Sequence, residues 1–268
     1  MSEENDKQGG STDQAKLSFD RFMGQKGAIK ENLSGIKHKI GIYSAKGGVG
    51  KTTVSVNLAY TLNAMGYKVG ILDADIDCPN LSFFIGANDR MDTSHFPLTP
   101  LIKDGIKVAS TSMVVDDMKK PIIWRGAIIT KMLIDFFQNT AWGELDYLIV
   151  DLPPGTSDAP LTIMQLLPLD GFVLVTTPQK IASSNAFRSG AMAKRLNIYL
   201  MGVVENRSHG VESEHTRELI SSLGTKLLGH VKESSEFDRL SDSGIVPVTR
   251  EKAIEDEYRT IAKALTAN

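Results

Sequence analysis

The chain has 268 residues, 41% of them hydrophobic and 23% charged, with a formal net charge of −2 and a pI near 6.2. That length buries a substantial core, and the composition is ordinary for a soluble globular protein. The near-neutral charge gives no general pull toward nucleic acid or anionic membrane, no apolar run reaches membrane-spanning length, and a single cysteine, Cys78, excludes an intrachain disulfide.

Residues 1–26 read as a disordered polar arm and residues 27–268 as a single domain. The opening MSEENDKQGGSTDQAK lacks the apolar core of a signal peptide. Together with the lone cysteine it points to a cytoplasmic chain. The segment Ile29–Ile36 predicts a short helix leading into a first strand, His38–Tyr43. A glycine-rich loop follows, then a helix over Val54–Met65 and a second strand over Lys68–Leu72. Asn88–Lys120 is weakly patterned and reads as an elaboration near the sheet edge, with a strand at Ile106–Thr111. Arg125–Asn139 carries apolar residues at helical spacing. Tyr147–Val150, Phe172–Val175, Tyr199–Val204 and Leu227–Val231 are short apolar strands. Helices are predicted at Ala182–Leu196, Glu214–Leu223 and Lys252–Leu265. Apolar strands alternating with amphipathic helices predict an α/β fold, a mostly parallel sheet with helices on both faces.

The run Ala45-Lys46-Gly47-Gly48-Val49-Gly50-Lys51-Thr52-Thr53 lies between the first strand and its helix. Its glycines permit tight turns that aim successive N–H groups at phosphate oxygens, and the helix N-terminus adds free donors and positive partial charge. Lys51 supplies a cation for β- and γ-phosphates and Thr52 a hydroxyl for Mg²⁺. Ala45 stands at the usual first glycine, which is tolerable only with negative φ. Lys46 is a second lysine that an ordinary phosphate loop does not need.

Ligands of open parallel sheets sit beyond the carboxyl ends of the strands. There the sequence places Asp73, Asp75 and Asp77 after one strand and Asp151-Leu152-Pro153-Pro154-Gly155 after another. Asp151 suits a water-mediated partner of Mg²⁺. Gly155 suits an N–H donor to the γ-phosphate. Asp73 and Asp75 are read as projecting to opposite faces, one toward the metal and one toward the attacking water. Asp77 has the weaker claim, a solvated turn carboxylate being its simpler reading.

The motifs AKGGVGKTT (45–53), LDADIDCPN (72–80), IIWRG (122–126), WGELDYLIVDLPPGTSD (142–158), TTPQ (176–179) and GVVENRS (202–208) resemble the Mrp/ApbC family of iron–sulfur carrier ATPases. That family lies within the deviant Walker A group that includes MinD and ParA. The resemblance implies a P-loop NTPase that binds ATP with Mg²⁺ and hydrolyses it as a homodimer; the balanced charge, and a last helix whose Ile254, Tyr258, Ile261 and Leu265 read as a packing stripe, give no expectation of a nucleic-acid or membrane partner. It implies that Lys46 reaches across the dimer to the other subunit's nucleotide. Catalysis then falls to Lys46, Lys51 and Asp75. Thr52, Asp73 and Asp151 serve the metal, partly through water, and Asn206 reads the adenine edge, an amide offering donor and acceptor together.

The resemblance also implies a Cys-x-x-Cys cluster site just after the Asn-x-Ser segment, and here those positions hold Glu212 and His215. Clusters are held mainly by thiolates. This chain therefore carries no cluster by the usual route, or binds another metal through Glu212, His215 and neighbouring His209, or shows plain surface residues there, the reading base rates favour. Cluster transfer to apoproteins is the implied role. A nucleotide-gated scaffold without a cluster is the alternative, and a MinD- or ParA-like positioning ATPase comes third.

Overall fold

A computed structural model describes residues 20–76, 78–92, 94–114, 126–155 and 158–267. In chain order these hold helix α1 (residues 20–32), β1 (Ile36–Tyr43), α2 (Lys51–Ala64), β2 (Val69–Asp73), α3 (Leu81–Phe84), β3 (Leu101–Lys103), β4 (Ile106–Ser110), α4 (Gly126–Asn139), β5 (Leu145–Asp151), α5 (Asp158–Leu166), β6 (Gly171–Thr176), α6 (Lys180–Arg195), β7 (Leu200–Ser208), α7 (Glu214–Leu223), β8 (Leu227–Lys232), α8 (Ser235–Asp242) and α9 (Lys252–Thr266).

Eight strands form one sheet in the order β3-β4-β2-β5-β1-β6-β7-β8. Every pairing is parallel except β3 with β4. The central strands are continuously apolar because both faces are covered. Ile40, Ile42, Leu148, Ile149, Val173 and Val175 are buried. Helix α2 has ten buried residues from Lys51 to Leu62 and almost no amphipathic contrast, since it lies between the sheet and α9. The stripe Ile254, Tyr258, Ile261 and Leu265 of α9 is buried in that packing. Helices α6 and α7 pair on the opposite face, where a Cβ on Gly190 would meet Leu223 of α7 and Leu174 of β6.

Three expectations change. Residues 20–26, expected in the polar arm, are helical; Phe22 packs against the core, and Asn32 Nδ2 anchors the helix by donating to the carbonyls of Phe137 and Thr140 at 2.9 and 3.0 Å. Residues 1–19 of that arm, with Asp77 and Arg125, lie outside the described residues. The elaboration at the sheet edge contains an antiparallel hairpin whose turn, Asp104-Gly105, has φ of 51° and 83°, the geometry that favours Asp-Gly. Helix α5 and the short helices α3 and α8 were not marked by periodicity, being brief. Among the described residues no helix is long and apolar enough to cross a membrane.

Candidate nucleotide site

The loop 45–53 leaves the end of β1, the strand flanked by β5 and β6. Gly48 and Gly50 have φ of 78° and 89°, which L side chains rarely adopt, and Ala45 keeps a negative φ, so the alanine is accommodated. Gly50 is also a close-approach glycine: a Cβ there would stand 2.1 Å from Asn206 Nδ2. That nitrogen donates to the carbonyl of Val49 at 2.8 Å. That bond fixes the orientation of the amide and leaves its oxygen and its second Nδ2–H to meet a ligand. A cleft of about 130 Å³ opens beside it, lined by Thr53, Asn206, Arg207 and Phe237 among others.

Thr52 and Ser55 sit on the first turns of α2, three residues apart and so on one helix face. Thr52 Oγ1 donates to Asp151 Oδ2 at 2.6 Å and Ser55 Oγ to Asp151 Oδ1 at 2.9 Å. Asp151 stands opposite Asp73 in the β2–β5 register. Asp73 accepts from the N–H groups of Asp75 and Leu81 and from the Ser110 hydroxyl, at 3.1, 3.3 and 3.0 Å. Both carboxylates are 1% exposed. Burial raises the pKa of each. The neighbouring charge of Asp151 raises Asp73 further, to about 8, while Lys51, Thr52 and Ser55 act against the rise at Asp151. Two buried acids side by side, with Lys51 8% exposed next to them, form a site that gains from a further cation. Its donors are hydroxyl and carboxylate oxygens, the set that suits Mg²⁺.

The opposite-face expectation for Asp73 and Asp75 fails on spacing, since residues two apart in a strand share a face, and the strand in any case stops at Asp73. Asp75 instead lies in the following loop, half-buried, its Oδ1 accepting from the Cys78 N–H at 3.1 Å. Cys78 is exposed. Gly155 has φ 97°, and its carbonyl accepts a short hydrogen bond from the Tyr43 hydroxyl, which ties the end of β1 to the turn after β5. Lys46 Nζ reaches Gln179 Oε1 at 3.4 Å.

Glu212 and His215 do not join this constellation. Glu212 faces Arg217 and His215 faces Glu218, each at 3.9 Å. Cys78 follows β2 while Glu212 follows β7, four strand spacings away, or about 19 Å at the usual inter-strand distance. Among the described residues no three His, Cys, Asp or Glu side chains gather to hold a metal ion. Ser55, Ser110, Tyr43 and Gln179 are supporting residues that the sequence reading missed. Only Ser55 carried a signal, its spacing from Thr52.

A family model described as ParA, NUBPL iron-transfer P-loop NTPase, matches residues 35–266. The chain is 40% identical over 258 residues to an iron–sulfur cluster carrier protein of Methanocaldococcus jannaschii, covering 90% of this chain and 88% of that one. It is 36% identical over 252 residues to a carrier protein of the same description from Aquifex aeolicus, covering 88% and 69%. A nucleotide-binding protein of Archaeoglobus fulgidus, solved in complex with ADP, superposes with a TM-score of 0.73 at 33% identity, over 87% of this chain and 96% of that one. The cell division ATPase MinD of Pyrococcus furiosus shares the fold, with a TM-score of 0.66 at 20% identity over 86% and 98%. The chain is a member of the NUBPL iron-transfer P-loop NTPase family.

Proposed function

We propose that the chain binds ATP with Mg²⁺, hydrolyses it as a homodimer, and uses the cycle in binding iron–sulfur clusters and transferring them to apoproteins. One observation carries the nucleotide part: the Thr52 hydroxyl held at 2.6 Å by buried Asp151, at the mouth of a glycine-rich loop opening a helix. Thr52, with Asp151 and Asp73 behind it, would hold Mg²⁺, which when bound supplies positive charge against the phosphate oxygens. Backbone N–H groups of 47–53 and Lys51 cradle the phosphates, and Gly155 offers its N–H to the γ-phosphate. Asp75 orients the attacking water, whose oxygen bonds the γ-phosphorus in line as the bond to the β,γ-bridging oxygen breaks, giving ADP and inorganic phosphate. Asn206 gives adenine specificity: the Nδ2 bond to Val49 fixes the orientation of the amide, and its oxygen accepts from the 6-amino group of adenine where guanine presents an oxo acceptor instead. Lys46 acts on the partner subunit's nucleotide, its reach in one chain ending at Gln179.

The carrier role rests on family membership and on relatives described as iron–sulfur cluster carrier proteins. A second reading, a nucleotide-gated scaffold without a cluster, is favoured by Glu212 and His215 facing Arg217 and Glu218 where thiolates would stand. A membrane-positioning role gains nothing from α9, whose apolar stripe is already buried. Anaerobic reconstitution with iron and sulfide, followed by visible absorption and metal analysis, decides between the first two. A stoichiometric cluster supports the carrier; intact ATPase activity with no cluster supports the scaffold. Expression in the cytoplasm is part of the same proposal and is checked by cell fractionation.

A further inference from the structure

The end of β7 carries a second buried acid that the nucleotide site does not use. Glu205 is fully buried, paired in register with Thr176 of β6 and His230 of β8. Its Oε2 accepts from both the hydroxyl and the N–H of Ser213, at 2.5 and 3.2 Å. Ser213 is the N-cap of α7, its Oγ accepting from the Thr216 N–H. Glu205 thus holds the far end of the loop 209–213 against the sheet. Its other oxygen, Oε1, is buried with no hydrogen-bond partner among the described residues. A buried carboxylate oxygen without a donor is costly, and such a group invites an account of what it does.

The next residue supplies the connection. Consecutive strand residues point to opposite faces, so while Glu205 grips the α7 side, Asn206 grips the phosphate loop through Val49. Two further irregularities fall directly after them. Arg207 has φ 53°, a left-handed conformation unusual for a non-glycine residue. The β7–β8 register shifts between Glu205 and Ser208. Beyond this, Ser208 Oγ and the Val211 carbonyl, with Gly210 N–H, close a tight loop. His209 of that loop lines a cleft of about 260 Å³ with Lys46, Thr177 and Gln179. A strained residue, an orphaned oxygen and a broken register lie within four residues, between the phosphate loop, which Asn206 touches, and the segment leading to Glu212 and His215. Strain of this kind collects at elements that switch.

We propose that Glu205 is a positioning residue that, with its neighbour Asn206, transmits nucleotide occupancy across the sheet to the loop 209–213 and the start of α7. Nucleotide engaging Asn206 shifts the strand end, Glu205 shifts with it, and the loop follows through Ser213. The unpartnered oxygen gains its donor in the nucleotide-bound arrangement. This rests on the nucleotide reading above, and the two fail differently.

The test is hydrogen–deuterium exchange of the full chain with and without Mg²⁺-ADP, with ADP affinity measured on the same samples. The wild type should show at least a threefold nucleotide-dependent change in exchange rate across 209–216. In Glu205→Gln, the carboxylate's charge-assisted bonds to Ser213 are weakened, and most of that change should vanish while ADP still binds. Ser213→Ala, which breaks the contact from the loop side, should do the same, and Ser213→Thr should restore it. These variants decide the matter if Glu205→Gln fails to fold. A purely structural role would lower stability yet leave the nucleotide-dependent difference intact, and that result overturns the proposal. So does a wild type that binds ADP without any change in the loop. A wild type that binds no ADP overturns the nucleotide reading first, and this inference with it.

Discussion

Replacing Gly50 by alanine tests whether the phosphate loop and the end of β7 are built as one unit. Two costs are separable. At φ 89° an alanine carries backbone strain of about 1–2 kcal/mol. Its Cβ would also stand 2.1 Å from Asn206 Nδ2, so the amide must rotate away from the Val49 carbonyl it bonds at 2.8 Å. Losing that bond and leaving a buried acceptor unpaired costs about 1–2 kcal/mol more. Gly50→Ala should therefore destabilise the nucleotide-free protein by about 2–4 kcal/mol. In an Asn206→Ala background the clash is gone and only the strain of about 1–2 kcal/mol should remain. The assay is urea unfolding of the two single variants and the double variant, analysed as a cycle. The expected coupling is about 1–2 kcal/mol. Gly50→Ala costing the same in both backgrounds would refute the claim that Asn206 is what requires glycine there.

Other expectations follow from the same geometry. Asp75→Ala should leave ATP affinity within a few-fold and lower turnover by about 100-fold or more, the scale of a lost water-orienting group; a variant that hydrolyses normally removes Asp75 from the mechanism. Asp73 has its pKa raised from 3.8 to about 8, so between those values the folded protein holds a proton that the unfolded chain has released. Its contribution to stability is present at low pH and is lost as pH rises through that window, by up to about 1.4 kcal/mol per pH unit. Asp73→Asn should flatten this slope in nucleotide- and metal-free unfolding curves between pH 5 and 8, and an unchanged slope would contradict the assignment. Asn32→Ala removes both bonds that fasten α1 to the end of α4 and should cost about 1–2 kcal/mol in the same unfolding assay.

Much of this was legible because phosphate binding leaves a compact signature. Gly47, Gly48, Gly50, Lys51 and Thr52 are contiguous, and Asp73 and Asp151 end apolar runs, so strand position alone brings them to one edge of a parallel sheet. The strands were legible because burial on both faces makes them continuously apolar. What escaped depended on contacts between distant segments. The bond of Tyr43 to Gly155 spans 112 residues, and the support of Asp73 by Ser110 spans 37. Residues 20–26 look too polar for a core, yet a helix needs only one apolar edge to dock, and Phe22 with Ile29 and Leu33 provides it. The opposite-face reading of Asp73 and Asp75 failed because residues two apart in a strand share a face, and because β2 ends at Asp73, leaving Asp75 in the loop. The Asp104-Gly105 hairpin was present as a recognisable dipeptide and was overlooked within a stretch of weak periodicity. Glu205 could not be singled out from sequence, since an acid in an apolar strand reveals its buried, half-satisfied state only once Ser213 is folded against it.

Mg²⁺-dependent phosphate release from ATP, measured on the purified wild type beside Lys51→Ala and with GTP as a control substrate, tests the central claim most directly. The account predicts turnover with ATP and Mg²⁺, none above background when Mg²⁺ is chelated, little with GTP, and loss of nucleotide binding or turnover in Lys51→Ala. Turnover that survives unchanged in Lys51→Ala, or a wild type that neither binds nor hydrolyses ATP, would contradict it.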